Sequence, residues 1–173
     1  SLSPQPRAFH LSSYREVEAR ERISRQEGQL VDAIEHLNDA ITIYDADQKL
    51  VAANRKAREH YTGVEHLMTP GNSLQEVVDG YRAFVVMPGT EYSDRLSAAS
   101  IMNSLQAGNP SDTVQYRDGR WMRSNRYRTA EGGLLIYRTD ITQQKIAEDE
   151  LIRSANRFRD FGTIASDWFW EMD

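Results

Sequence analysis

Apolar and polar positions follow three patterns along the chain. Between Tyr14 and Gly28 the sequence is dense in Glu, Arg and Gln, with Val17 and Ile23 as isolated apolar points. That predicts a charged helix, weakened at Gly28. Ile23, Leu30 and Leu37 stand seven apart, so one stripe can run on into the next segment. Residues 1–13, with Ser3-Pro4-Gln5-Pro6, show no period and read as a tail. From Ala40 the pattern turns β-like: Ile41-Thr42-Ile43-Tyr44, turn residues Asp45-Ala46-Asp47-Gln48, then Leu50-Val51-Ala52-Ala53, a hairpin. Asn54 is a good N-cap for a helix Arg55–Tyr61 that Gly63 ends. Short helices are expected at Leu74–Tyr81 and Asp94–Leu105, between the breaks Pro70-Gly71-Asn72-Ser73 and Gly108-Asn109-Pro110. The last third alternates again over Thr113–Arg117, Arg120–Thr129 and Leu134–Thr139. Turns at Asp118-Gly119 and Glu131-Gly132-Gly133 make this a three-strand meander. A helix over 143–165 follows, where Ala147, Leu151, Ala155, Phe158, Gly162 and Ala165 lay a narrow apolar seam. The order is helix, two strands, short helices, three strands, helix: an α+β chain.

Composition narrows the chemistry. The 173 residues contain no cysteine, which removes disulfides, thiolate nucleophiles, iron–sulfur ligation, Cys-based zinc sites and cysteinyl–flavin photochemistry. A net charge of −5 argues against nucleic acid held by general electrostatics. No apolar run is long enough to span a bilayer, and no signal-peptide pattern opens the sequence. Eighteen Arg against three Lys reads as coding bias rather than as a site.

Several motifs in order carry a resemblance. Leu30 through Ile41 followed by Tyr44-Asp45-Ala46-Asp47, Leu50-Val51-Ala52-Ala53-Asn54 with Tyr61-Thr62-Gly63, Asp118-Gly119-Arg120-Trp121, and Gly132-Gly133-Leu134 through Arg138-Thr139-Asp140-Ile141-Thr142 resemble the PAS sensory domain over residues 29–142. The resemblance implies a PAS fold: a five-stranded antiparallel sheet in spatial order 2-1-5-4-3, short helices on one face, helices at both ends. Arg157-Phe158-Arg159-Asp160-Phe161 and Ser166-Asp167-Trp168-Phe169-Trp170-Glu171-Met172-Asp173 look like the start of a second PAS domain over 166–173, cut short. Such tandem chains usually end in a histidine kinase and less often in a diguanylate cyclase.

Candidate chemistry is sparse. His36, His60 and His66 read as surface histidines, and the helix where haem-binding PAS domains place their ligand has none here. Neither haem nor covalent flavin is therefore expected, while a non-covalent small ligand stays open. Asp45/Asp47 and Glu148/Asp149/Glu150 read as turn and helix-face acids rather than as metal or acid–base sites. No catalytic constellation and no metal site stand out.

In Arg120–Arg128, alternation puts Trp121, Arg123, Asn125 and Tyr127 on one face, with Met122, Ser124, Arg126 and Arg128 on the other. Which face is inward depends on whether the Asp118-Gly119 loop has two or three residues. The resemblance favours Met122 and Ser124 inward, leaving Trp121 and Tyr127 to be covered by the N-terminal helix or a second protomer. Arg138 shares a face with Leu134, Ile136 and Asp140. By resemblance a polar side chain there reads the ligand; an ion pair with a carboxylate at the sheet's end is the competing reading.

The pocket candidates are thus Met122, Ser124, Ile136 and Arg138. Asp140, Ile141 and Thr142 are candidates for signal transmission, and Trp121, Tyr127, Leu151 and Phe158 for packing in a homodimer. The favoured function is a non-catalytic, cytoplasmic PAS sensory and dimerisation module of a bacterial sensor histidine kinase, whose parent chain can be membrane-anchored. Its partners would be a second copy and the adjacent PAS and output domains, not nucleic acid or membrane. A module of a cyclase or phosphodiesterase, a ligand-free spacer and a small enzyme on an α+β cup are the rivals.

Overall fold

A computed structural model describes the backbone of residues 7–108 and 111–170, and the side chains of 11–108 and 111–165. The first helix, α1, runs Arg7–Glu35 without interruption. It therefore begins inside the expected tail 1–13 and overruns the expected Tyr14–Gly28 at both ends. Gly28 costs a helix only about 1 kcal/mol, which the good helix formers around it offset. Leu11, Val17, Ile23, Leu30 and Val31 are all exposed, so α1 does not cover the sheet.

What fastens α1 to the domain is Asn54. Its Oδ1 accepts from Ile41 N (2.9 Å) and Ala57 N (3.0 Å), and its Nδ2 donates to Ile34 O (3.0 Å) and Asp39 O (2.9 Å). One buried amide so caps α2 (Arg55–His60) and ties the end of α1 to β1 (Ala40–Tyr44) and β2 (Leu50–Ala53). Arg58 and Glu35 add an ion pair across the same junction.

The sheet has five strands, completed by β3 (Ser111–Gln115), β4 (Trp121–Arg128) and β5 (Leu134–Asp140), all pairing antiparallel in the order β2-β1-β5-β4-β3. Its three hairpins close alike, each with a three-residue loop whose last residue has positive φ: Gln48 (59°), Gly119 (91°) and Gly132 (85°). The loop before β4 thus has three residues, Arg117-Asp118-Gly119, between the paired Tyr116 and Arg120. That count puts Met122, Ser124 and Arg126 inward and Arg123 and Tyr127 outward, while Arg128, on the inner side, is exposed at the strand's end.

Between β2 and β3 lie α2, a 3₁₀ turn Glu65–Met68, α3 (Leu74–Gly80), a π turn Tyr81–Val85, α4 (Glu91–Arg95) and α5 (Ala98–Gln106). The expected single helix Asp94–Leu105 is two helices. Leu96 is extended, and Ser97 caps α5 by accepting from Ser100 N at 3.0 Å. Ala57, Leu74, Val77, Tyr81, Tyr92 and Ile101 pack from these elements onto Tyr44, Leu50, Val114, Met122, Leu134 and Ile136 of the sheet. The result is one core between sheet and short helices.

The last helix, α6, runs Thr142–Trp170 rather than 143–165. Its backbone remains helical into the segment expected to open a second domain, and residues 171–173 of that segment lie outside the described residues. Leu151 and Phe158 are 72 % and 78 % exposed, with Ile152, Phe161 and Ile164 exposed beside them. Such a helix gains little from packing on its own domain.

Candidate ligand site

The inner face of the sheet is more polar than a core should be. In register, Arg138 of β5 lies opposite Ser124 of β4 and Ala40 of β1, while Ile136 lies opposite Arg126 and Thr42. Thr42, Ser124, Arg126 and Arg138 are all buried. Five of their side-chain atoms have no hydrogen-bond partner among the described residues: Thr42 Oγ1, Ser124 Oγ, Arg126 Nε, and Arg138 Nε and Nη1. Buried polar atoms are nearly always paired, so five orphans on one sheet face make it the candidate site.

Arg138, 4 % exposed, sits among tyrosines. Its guanidinium lies 4.6 Å from the centre of the Tyr81 ring, with the Tyr61 side chain also beside it. Tyr81 Oη in turn donates to Tyr116 Oη at 3.0 Å. Burial pushes the hydroxyls of Tyr44, Tyr61, Tyr81 and Tyr116 well above their usual range, so all four are neutral. The carboxylate pair considered for Arg138 is absent: no Asp or Glu among the described residues lies within ion-pairing distance. Asp140, two residues on, is exposed and turned to another task.

Arg126 is the residue the sequence reading passed over. It is 2 % exposed, and its Nη2 lies 2.6 Å from Asp112 Oδ2 while Nη1 donates to Ser104 Oγ at 3.3 Å. Arg95 reaches the other oxygen of Asp112 at 3.0 Å. A cavity of about 60 Å³ opens beside this group, lined by Tyr92, Leu96, Ile101, Ser104 and Arg126 among others. Of the pocket candidates, the structure brings Met122, Ser124, Ile136 and Arg138 onto one face, with Arg126 among them.

His60 is a further correction, since it is buried rather than on the surface. It is 9 % exposed and meets Tyr116 edge-on at 5.9 Å, and its Nδ1 has no partner. Burial, then the charges of Arg120 and Arg138, lower its pKa to about 4, so it is neutral at pH 7.

At the end of β5 the three remaining candidates form a clamp. Asp140 Oδ1 accepts from Thr142 N (2.9 Å) and Thr142 Oγ1 (2.6 Å); that Oγ1 accepts from Trp121 N (2.9 Å); Ile141 is buried and its N donates to Trp121 O (2.8 Å). The first residue of α6 is thereby fixed to the first residue of β4. On the outer face, Tyr127 and Tyr137 stack in parallel at 5.8 Å, and Lys145 lies 5.8 Å from the Trp121 ring. Neither α1 nor any other described element covers the Tyr127 side.

Antiparallel order, inner-face site and clamped exit helix coincide with a family match: the model described as PAS fold covers residues 34–149. The chain belongs to the PAS-fold family. PAS domains are sensory modules and generally not catalytic, and among the described residues no group of three or more His, Cys, Asp or Glu side chains is placed to hold a metal ion. The Non-motile and phage-resistance protein of Caulobacter vibrioides is 28 % identical over 144 residues, which cover 82 % of this chain and 15 % of that protein. The PAS domain thus spans a small part of that relative's length. Among solved structures, the PAS domain of an HTR-like protein from Haloarcula marismortui aligns over 72 % of this chain and 98 % of its own, with 19 % identity and a TM-score of 0.43. The PAS domain of the Cronobacter turicensis RpfR quorum-sensing receptor, in complex with C12:0, aligns over 63 % and 99 %, with 20 % identity and a TM-score of 0.39. No described helix of this PAS domain is long and apolar enough to cross a membrane.

Proposed function

We propose that this PAS domain is the cytoplasmic, non-catalytic, ligand-reading and dimerising module of a bacterial sensor histidine kinase in a two-component phosphorelay. The observation that carries the reading is the placement of Arg138 and Asp140 on one strand. A buried guanidinium with two unpartnered nitrogens stands two residues from the clamp that holds α6. A ligand with different affinity for two arrangements of β5 would then bias the clamp, and α6 would carry that bias towards the output domain. In the full-length parent, Asp140→Ala and Arg138→Met are each expected to change basal output several-fold, whereas Glu131→Gln in an exposed turn leaves it unchanged. Unaltered output in both Asp140→Ala and Arg138→Met would refute the relay.

The dimer part of the reading rests on apolar side chains that the domain leaves uncovered: Leu151 and Phe158 on α6, and Tyr127 on the sheet. Two copies meeting about a two-fold axis would bury each patch against its own copy. The wild-type chain should sediment as a dimer at tens of micromolar, an order-of-magnitude choice from the affinity scale, and Leu151→Asp with Phe158→Asp should shift it towards monomer. A monomeric wild type at that concentration defeats the homodimer and leaves the fold untouched.

A further inference from the structure

We propose that the ligand read at Arg138 is a small planar oxyanion of single negative charge, a short carboxylate such as acetate, propionate or pyruvate. The proposal rests on the ligand-reading function above and adds the ligand's charge, hydrogen-bonding character and size, each from a separate observation.

Charge comes from an inventory of the interior. Two guanidinium groups are buried on the inner face, and neither can release its proton. Arg126 has its counter-ion in Asp112 at 2.6 Å. Arg138 has none: Asp140 is exposed and engaged with Thr142, and the tyrosines around the guanidinium are neutral. One unit of positive charge is left uncompensated where water is excluded, an arrangement costly unless an anion completes it. The missing partner carries one negative charge.

Hydrogen-bonding character comes from the orphaned atoms. Arg138 Nε, Arg138 Nη1 and Arg126 Nε can only donate, and the hydroxyls of Ser124 and Thr42 can donate. Ser124 lies directly opposite Arg138 in the sheet register. Unpartnered donors on three neighbouring strands of one buried face ask for a group that only accepts, and a planar carboxylate matches a guanidinium in geometry as well as charge.

Size comes from the room available. Arg138, Ser124 and Thr42 are 4 %, 1 % and 0 % exposed, so their surroundings are closed, and the neighbouring cavity of about 60 Å³ is lined by Tyr92, Arg126 and Asp112 among others and not by Arg138. A cavity of roughly 150 Å³ takes a benzene ring, so this one holds about two or three non-hydrogen atoms in all. A long acyl chain does not fit without opening the core.

The test is calorimetry and thermal unfolding of the purified chain at constant ionic strength, with sodium acetate, propionate, pyruvate, nitrate and octanoate as probes. Acetamide serves as the neutral isostere and sodium chloride as the reference salt. Saturable binding and a raised Tm are expected with the short carboxylates and not with acetamide or chloride. Arg138→Met should weaken that binding at least tenfold, and Ser124→Ala several-fold, with far-UV circular dichroism unchanged. Nitrate binding alongside the carboxylates supports the oxyanion chemistry, whereas nitrate alone overturns the carboxylate. Equal binding of acetamide overturns the charge assignment, and tighter binding of octanoate overturns the size. No binding by any short anion at ten millimolar or so refutes the proposal; an altered output of Asp140→Ala in the parent would then still uphold the relay.

Discussion

Arg126 and Arg138 stand one strand apart on the same sheet face, both almost fully buried, and the chain treats them in opposite ways. Around Arg126 it supplies a carboxylate, a serine hydroxyl and a second arginine to share that carboxylate. Around Arg138 it supplies neutral tyrosines, the Tyr81 ring foremost, and nothing anionic. A buried charge whose partner is encoded in the same chain belongs to the architecture. A buried charge whose partner is missing marks where something from outside completes the fold.

The comparison breaks most sharply at Asp112. Asp112→Ala strands Arg126 in the interior and is expected to cost about 3 kcal/mol, the range for removing one member of a buried pair. Urea unfolding measures it, and a loss below about 1 kcal/mol would place Arg126 in contact with solvent. Next is the acid response of His60. Its folded pKa, about 4, lies below the unfolded 6.5, so the unfolded chain binds the extra proton. The corresponding stability is fully present above pH 6.5 and is lost as pH falls from 6.5 towards 4. The loss is on the order of 2 kcal/mol after discounting the shift for the ring's partial contact with water. His60→Phe should flatten that window in denaturation at stepped pH. The same residue also tells the two arginines apart. Arg138→Met should move the His60 titration upward in NMR, while Asp112→Ala leaves it in place, because Arg138 and not Arg126 contributes to the shift.

Smaller effects sharpen the contrast. Arg138→Met removes an uncompensated charge and should stabilise the ligand-free chain by about 1 kcal/mol, with the lost ring contact subtracted, as read from its denaturant midpoint. The double change Asp112→Leu with Arg126→Met should stay within about 1 kcal/mol of wild type, since a buried pair is replaceable by apolar groups. A loss as large as that of Asp112→Ala alone would show that the pair is needed as a pair.

The sequence made the five strands legible because their alternation and their turns agree. It made Arg138 legible because a cation stands out beside Leu134 and Ile136 on an alternating strand. Arg126 was hidden by company: Arg120, Arg123, Arg126 and Arg128 populate both faces of one segment, and only the length of the loop at Gly119 decides which point inward. The α4–α5 break was hidden because Ser97 as a cap looks, in sequence, like one more polar helix residue. His60 fell to a similar limit, since burial at the end of a short helix leaves no periodic trace. The reach of α1 was missed because a charged, exposed helix carries little pattern to be read.

Gly133 has a consequence that reaches beyond its turn. A Cβ on it would sit 2.2 Å from the carbonyl oxygen of Tyr44 and 3.0 Å from Thr129 Oγ1, so backbone alone can pass there. That close approach seats Leu134 against Tyr44 and thereby sets the count for every later residue of β5. Slipping the count by one would turn Arg138 out to solvent and Thr139 in. A hydrogen atom in place of a methyl group, five residues upstream, thus sets the parity of the whole strand, and with it whether the domain has a charged interior at all.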